Sequence, residues 1–125
     1  TLNPDKLATS KSKASIETVN SKKVLTDGNR VVELHHMTGI GHHDGLLMVY
    51  LPKEKILLEA DAYNPPAQAN APPPAQVSPY NASLVANIER LKLDVETIIP
   101  VHYPGDGRKV TKAELMRVVG RVGSN

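Results

Sequence analysis

Gly41-His42-His43-Asp44-Gly45-Leu46-Leu47-Met48-Val49-Tyr50-Leu51-Pro52-Lys53-Glu54-Lys55-Ile56-Leu57-Leu58-Glu59-Ala60-Asp61 is the stretch whose pattern sets the architecture. It reads as a tight turn carrying histidine, an outgoing strand over residues 46–51, a charged turn at Lys53-Glu54, and a returning strand over 55–60 that closes on an aspartate. Pro52 stands where a strand must stop, because proline cannot donate to a ladder. Both strands are apolar at consecutive positions, the pattern of strands buried on both faces. Paired as a hairpin, they bring His42 and Asp61 to the same end of the sheet.

Upstream of this stretch, residues 30–37 alternate, which puts Val32, Leu34 and His36 on one face and Val31, Glu33 and His35 on the other. Residues 38–45 then carry Gly39, Gly41 and Gly45, which let the backbone turn sharply and approach a ligand. Before the strand, Asp27-Gly28-Asn29 is a hairpin turn signal after a short strand at 22–25. Residues 14–19 make at most a short edge strand, and residues 1–13 read as an irregular lead-in. The chain begins on Thr1, not on a methionine, which leaves room for an upstream segment.

Downstream, residues 64–79 hold six prolines in sixteen positions, so this segment is expected to be an extended loop. It either borders the Asp61 end of the sheet or is a plain connector. Ser78 is an N-cap with Pro79 at the first helical position, and Leu84, Val85, Ile88 and Leu91 form the apolar stripe of the helix that follows. Residues 97–101 are an apolar strand with His102 just beyond it. Thr111 and Glu114 read as a capping box opening a last helix that buries Leu115, Val118 and Val119, and residues 120–125 are expected to fray.

At 125 residues and 40% hydrophobic, with no Phe and no Trp, the chain is a single α/β domain over 1–125 with an aliphatic core. A net charge of +2 from nearly balanced acids and bases argues against a nucleic-acid surface. No apolar run reaches the ~20 residues of a membrane span. Without cysteine there are no disulfides and no thiolate ligands. The order of elements gives one mixed sheet with two helices on one face. The other face, also apolar, needs a covering partner.

The Gly41-His42 turn, the Leu51-Pro52 turn, the strand closing on Asp61 and the Ile99-Pro100-Val101-His102 segment together resemble the second half of the metallo-β-lactamase-fold hydrolases. The first signature of that fold, HxHxDH, is absent from these residues, so the chain resembles the C-terminal half of an αββα sandwich. The resemblance implies a zinc-dependent hydrolase acting on a small-molecule substrate. His42 would ligate one metal, His102 the other and Asp61 both, with a metal-bound water as nucleophile and up to two ions in a longer parent. In this chain alone, occupancy would be partial or nil and turnover absent. The covering partner would be the missing N-terminal half or a second copy of the chain. The alternative is a non-catalytic, self-associating scaffold that dimerises through its exposed sheet face.

Around these three residues the roles stay open. Asp44 either accepts a hydrogen bond from a ligand histidine or stabilises the turn. His36 either is a core histidine or stands behind the ligands in the pocket, and His35 and His43 read as exposed. Tyr63 and Tyr103 either line a pocket or pack. Two departures from the resembled pattern stand out: Ala60 precedes Asp61 where Gly is usual, and Tyr103 follows His102 where Gly is common.

Overall fold

The computed structural model describes residues 3–10 and 12–121. Six strands, β1 (Lys22–Thr26), β2 (Val31–His36), β3 (Leu47–Leu51), β4 (Ile56–Glu59), β5 (Thr97–Pro100) and β6 (Val110–Thr111), lie side by side in that order in one sheet. The helices are α1 (Lys6–Thr9), α2 (Pro79–Arg90) and α3 (Lys112–Val118). All neighbouring strands are antiparallel except β4 and β5, which run parallel. A parallel pair cannot be joined by a tight turn. Here the proline-rich loop and α2 make the crossover.

The register defines two faces. Glu33 pairs with Tyr50, His35 with Met48, Tyr50 with Leu57, Leu57 with Ile98, and Ile98 with Val110, so these residues share one side. That side packs under Leu84, Val85 and Ile88 of α2 and Leu115 and Val118 of α3 as one buried core. On the opposite side Val32, Leu34, Leu47, Val49 and Leu58 are only half buried, and Ile99 and Val101 are 39% and 66% exposed. The expected burial of β3 and β4 on both faces is therefore not reached within this chain: their burial alternates, because both helices cover the same side.

The same sidedness corrects the reading of β2. His35, expected at the surface, is 3% exposed, whereas His36 is half buried on the uncovered face. Alternation separates the two histidines, but it does not say which face the helices take. His35 is tolerated inside because its Nε2 meets Glu33 Oε2 at 2.8 Å, while Lys22 Nζ holds Glu33 Oε1 at 2.6 Å. Burial works against the charge on Glu33, but the Lys22 ammonium and the His35 imidazole outweigh it and hold the carboxyl below its ordinary value.

Other elements differ in detail. The lead-in contains the single turn α1, capped by Asp5, whose Oδ1 accepts from the Ala8 N–H at 2.7 Å. Residues 14–19 form no strand, and Ile16 is 89% exposed. β6 was not foreseen, since two residues carry no readable period. Thr111 caps α3 by accepting from the Glu114 N–H at 3.1 Å, but the box is not reciprocal: the Glu114 carboxylate goes to Arg108 Nη2 at 2.7 Å. Instead of fraying at residue 120, the chain closes α3 there: Gly120 takes a left-handed φ of 72°, and Arg121 N–H reaches back to the Met116 carbonyl at 2.8 Å. The fraying expected over 122–125 lies outside the described residues, as do Thr1, Leu2 and Lys11 of the lead-in.

The proline-rich loop has few N–H groups to offer, so it is held through its carbonyls. Arg108 Nη2 donates to Pro66 O at 2.6 Å, and the Arg117 guanidinium donates to Ala69 O and Ala71 O. Among the described residues, no helix is long and apolar enough to cross a membrane. One-sided burial can be tested on two adjacent leucines of β4. Leu57→Ala, under the helices, should cost about 2–5 kcal/mol of stability, and Leu58→Ala, on the open face, about 1–2 kcal/mol. Urea denaturation of the two variants measures the difference.

Candidate functional site

Three loops meet at one end of the sheet. The loop over residues 37–46 carries His42, the turn after β4 carries Asp61, and the loop after β5 carries His102. The β4–β5 register explains the last two. Glu59 pairs with Pro100 at the ends of the two parallel strands, and two residues beyond those ends Asp61 and His102 stand side by side. His102 Nε2 lies 2.9 Å from Asp61 Oδ1, and His42 Nε2 lies 3.6 Å from Asp61 Oδ2. Each carboxylate oxygen thus faces a different imidazole, and all three side chains are open to solvent at the rim.

Asp61 sits at φ 64°, a left-handed conformation that an L side chain adopts at a cost. The turn is fixed from below by Glu59, which is 4% exposed. Its Oε2 accepts from the Ala62 N–H at 2.9 Å and from the Tyr63 N–H at 3.1 Å. Burial pushes the Glu59 carboxyl up to about 7 despite these two donors and nearby His102, with Asp61 adding to the rise. Glu59 Oε1 is buried without a partner among the described residues.

The His42 loop is tied to α2 by an amide clamp. Buried Asn87 accepts from the Thr38 N–H at 3.0 Å and donates to the Thr38 carbonyl at 2.9 Å. Gly41, at φ 66°, makes the turn into His42 without a Cβ in the way. The His42 ring then meets the edge of Tyr80, in the first turn of α2, at a centroid distance of 5.6 Å.

The neighbouring residues fall as follows. The Asp44 backbone carbonyl, not its carboxylate, takes the contact from His36 Nε2. His43 is exposed and its Nδ1 accepts from the Gly45 N–H at 2.9 Å, so it braces its own turn. Tyr63 is 1% exposed within the core, and burial pushes its hydroxyl up. Tyr103 is exposed beside His102. Three residues that shape the site, Glu59, Asn87 and Tyr80, were not singled out in the sequence. An acidic residue inside the apolar run 56–60 was the one available signal.

Two imidazole nitrogens and two carboxylate oxygens form a donor set of the kind zinc takes. Among the described residues, however, no group of three or more His, Cys, Asp or Glu side chains is assembled to hold one ion. The geometry accounts for this: Asp61 divides its oxygens between the histidines, so the site consists of two pairs, not one triad.

This sheet, with its helices on one side and its ligand-type residues at one rim, is a metallo-β-lactamase-like fold. Among solved structures, a metallo-β-lactamase from Pontibacter korlensis matches it with a TM-score of 0.56 at 18% identity, over 93% of this chain and 53% of that one. The chain spans about half the length of that protein, and the likeness is one of fold. No family model matches the sequence, and no curated protein matches it.

Removal of the Asn87 clamp should loosen the His42 loop. Asn87→Ala removes the acceptor of the Thr38 N–H and leaves the Thr38 carbonyl with the Ser83 hydroxyl alone, at 3.3 Å, and should cost about 1–3 kcal/mol. Faster hydrogen exchange at the Thr38 amide, with β4 protection kept, is the expected result.

Proposed function

We propose that this chain is the C-terminal part of a zinc-dependent, metallo-β-lactamase-like hydrolase, with His42 on one ion, His102 on the other and Asp61 on both. The observation that carries this reading is the division of the Asp61 carboxylate between the two imidazoles, at 3.6 and 2.9 Å. Tetrahedral zinc with ligands at 2.0–2.2 Å places neighbouring ligand atoms roughly 3.3–3.6 Å apart, so the His42 spacing of 3.6 Å matches a shared ion and the His102 spacing of 2.9 Å is shorter, as a direct hydrogen bond is. The donors fit as half a coordination shell for each ion: one nitrogen and one oxygen where four ligands are usual.

When bound, zinc lowers the pKa of a water and polarises the bond to be cleaved. This chain's own residues would hold zinc through His42, Asp61 and His102, with Glu59 fixing the turn of Asp61 and Tyr80 packing against His42. The remaining ligands come from an N-terminal half outside this chain, and the chain alone does not turn over substrate. Metal analysis of the full-length protein should give about two zinc ions per chain. His42→Ala and His102→Ala should each bring this to about one, and Asp61→Ala should weaken both sites. Absence of zinc with all three residues intact overturns the proposal.

A second reading is favoured by the uncovered sheet face. Val49, Leu58, Ile99 and Val101 lie there, and among the described residues no helix covers them. A second copy, face to face across a two-fold axis, would cover them whether or not metal is bound. Sedimentation in the presence of chelator should then give a dimer, and Val49→Lys a monomer. A monomeric wild-type chain argues against this reading.

A further inference from the structure

We infer that Glu59 is the positioning residue for Asp61. It acts through the geometry of one carboxylate oxygen, so the orientation of Asp61 toward His42 and His102 depends on it. The inference rests on the proposed metal centre only for its zinc measurement.

Three observations converge on it. Asp61 holds a left-handed backbone, φ 64°, without being glycine, so something outside the residue must keep it there. The two amides that follow, Ala62 and Tyr63, both donate to the same oxygen, Glu59 Oε2, at 2.9 and 3.1 Å. Ala62 and Tyr63 are themselves 1% exposed, so these N–H groups have little water to turn to if the oxygen is lost. Upstream, Glu59's own carbonyl accepts from the Val101 N–H at 3.1 Å, which ties the same residue to the segment leading into His102. Glu59 thus fixes the Asp61 turn through its side chain and the His102 approach through its backbone.

The use of a single oxygen makes the inference testable. Glu59→Gln presents a carbonyl oxygen at the same reach and should keep both amide bonds, although its buried NH2, where Oε1 has no partner among the described residues, lowers stability. Glu59→Asp keeps the carboxyl group but draws the oxygen back by one methylene and should lose them. On the metal-free protein, NMR reads exchange at the Ala62 and Tyr63 amides and the imidazole nitrogen shift of His102, which reports its hydrogen bond to Asp61. The expected result is wild-type behaviour for Glu59→Gln, and for Glu59→Asp about tenfold faster exchange at both amides with a changed His102 shift. In the full-length protein, competition against a chelator should show zinc affinity falling about 10–100-fold for Glu59→Asp and kept by Glu59→Gln.

The inference is overturned if Glu59→Asp matches wild type, or if Glu59→Gln loses the His102 signature. Should Glu59→Asp not fold, Glu59→Gln decides alone by the same signature. Failure of the wild-type protein to bind zinc would remove the metal reading and leave the metal-free measurements to judge Glu59.

Discussion

Two parallel strands carry the rest of the structure. β4 and β5 run parallel and end together, with Glu59 opposite Pro100, so the loops that carry Asp61 and His102 leave the sheet side by side. Asp61 and His102, forty-one residues apart in sequence, therefore come within 2.9 Å of each other. A slip of one residue would turn every side chain of β5 to the opposite face and send Ile98 out of the core. The burial of Ile98 between Leu57 and Val110 thus guards the register, and the register places the carboxylate beside the imidazole.

The loops at the rim inherit this order by different means. Asn87 spends a buried side-chain amide on the backbone of Thr38, which anchors the loop of His42 to α2. Glu59 does the same for Asp61, with a carboxylate that burial makes costly to ionise. Both are buried polar groups whose removal leaves backbone donors unpaired. Such groups hold loops in one conformation where apolar packing alone would leave them several.

Much of the fold is legible in the residues. The hairpin around Lys53-Glu54, the proline-started helix after Ser78 and the strand before His102 follow from apolar runs, caps and turn chemistry, and each stands within a residue or so of its expected place. Histidine after glycine, aspartate after an apolar strand and histidine after another apolar strand marked His42, Asp61 and His102 as candidates, and the structure brings those three to one rim. What was not legible depended on neighbours distant in sequence. His35 and His36 differ only in which face they occupy, and the helices choose the face. Glu59, Asn87 and Tyr80 carry no local pattern, because each acts on a loop that is brought to it only by folding. Residues 110–111 pair as a strand only because the edge of β5 is there to receive them.

The sequence by itself determined the order of β1 to β5 with α2 and α3, the α/β class and the aliphatic character of the core, since these follow from local period and composition. It also determined which side chains could serve as donors. Tertiary structure alone decided which face the two helices cover, leaving Ile99 and Val101 exposed on the other, and that Asp61 divides its oxygens between two histidines. The reason is physical: periodicity is a property of one segment, whereas a face, a register and a shared carboxylate exist only between segments.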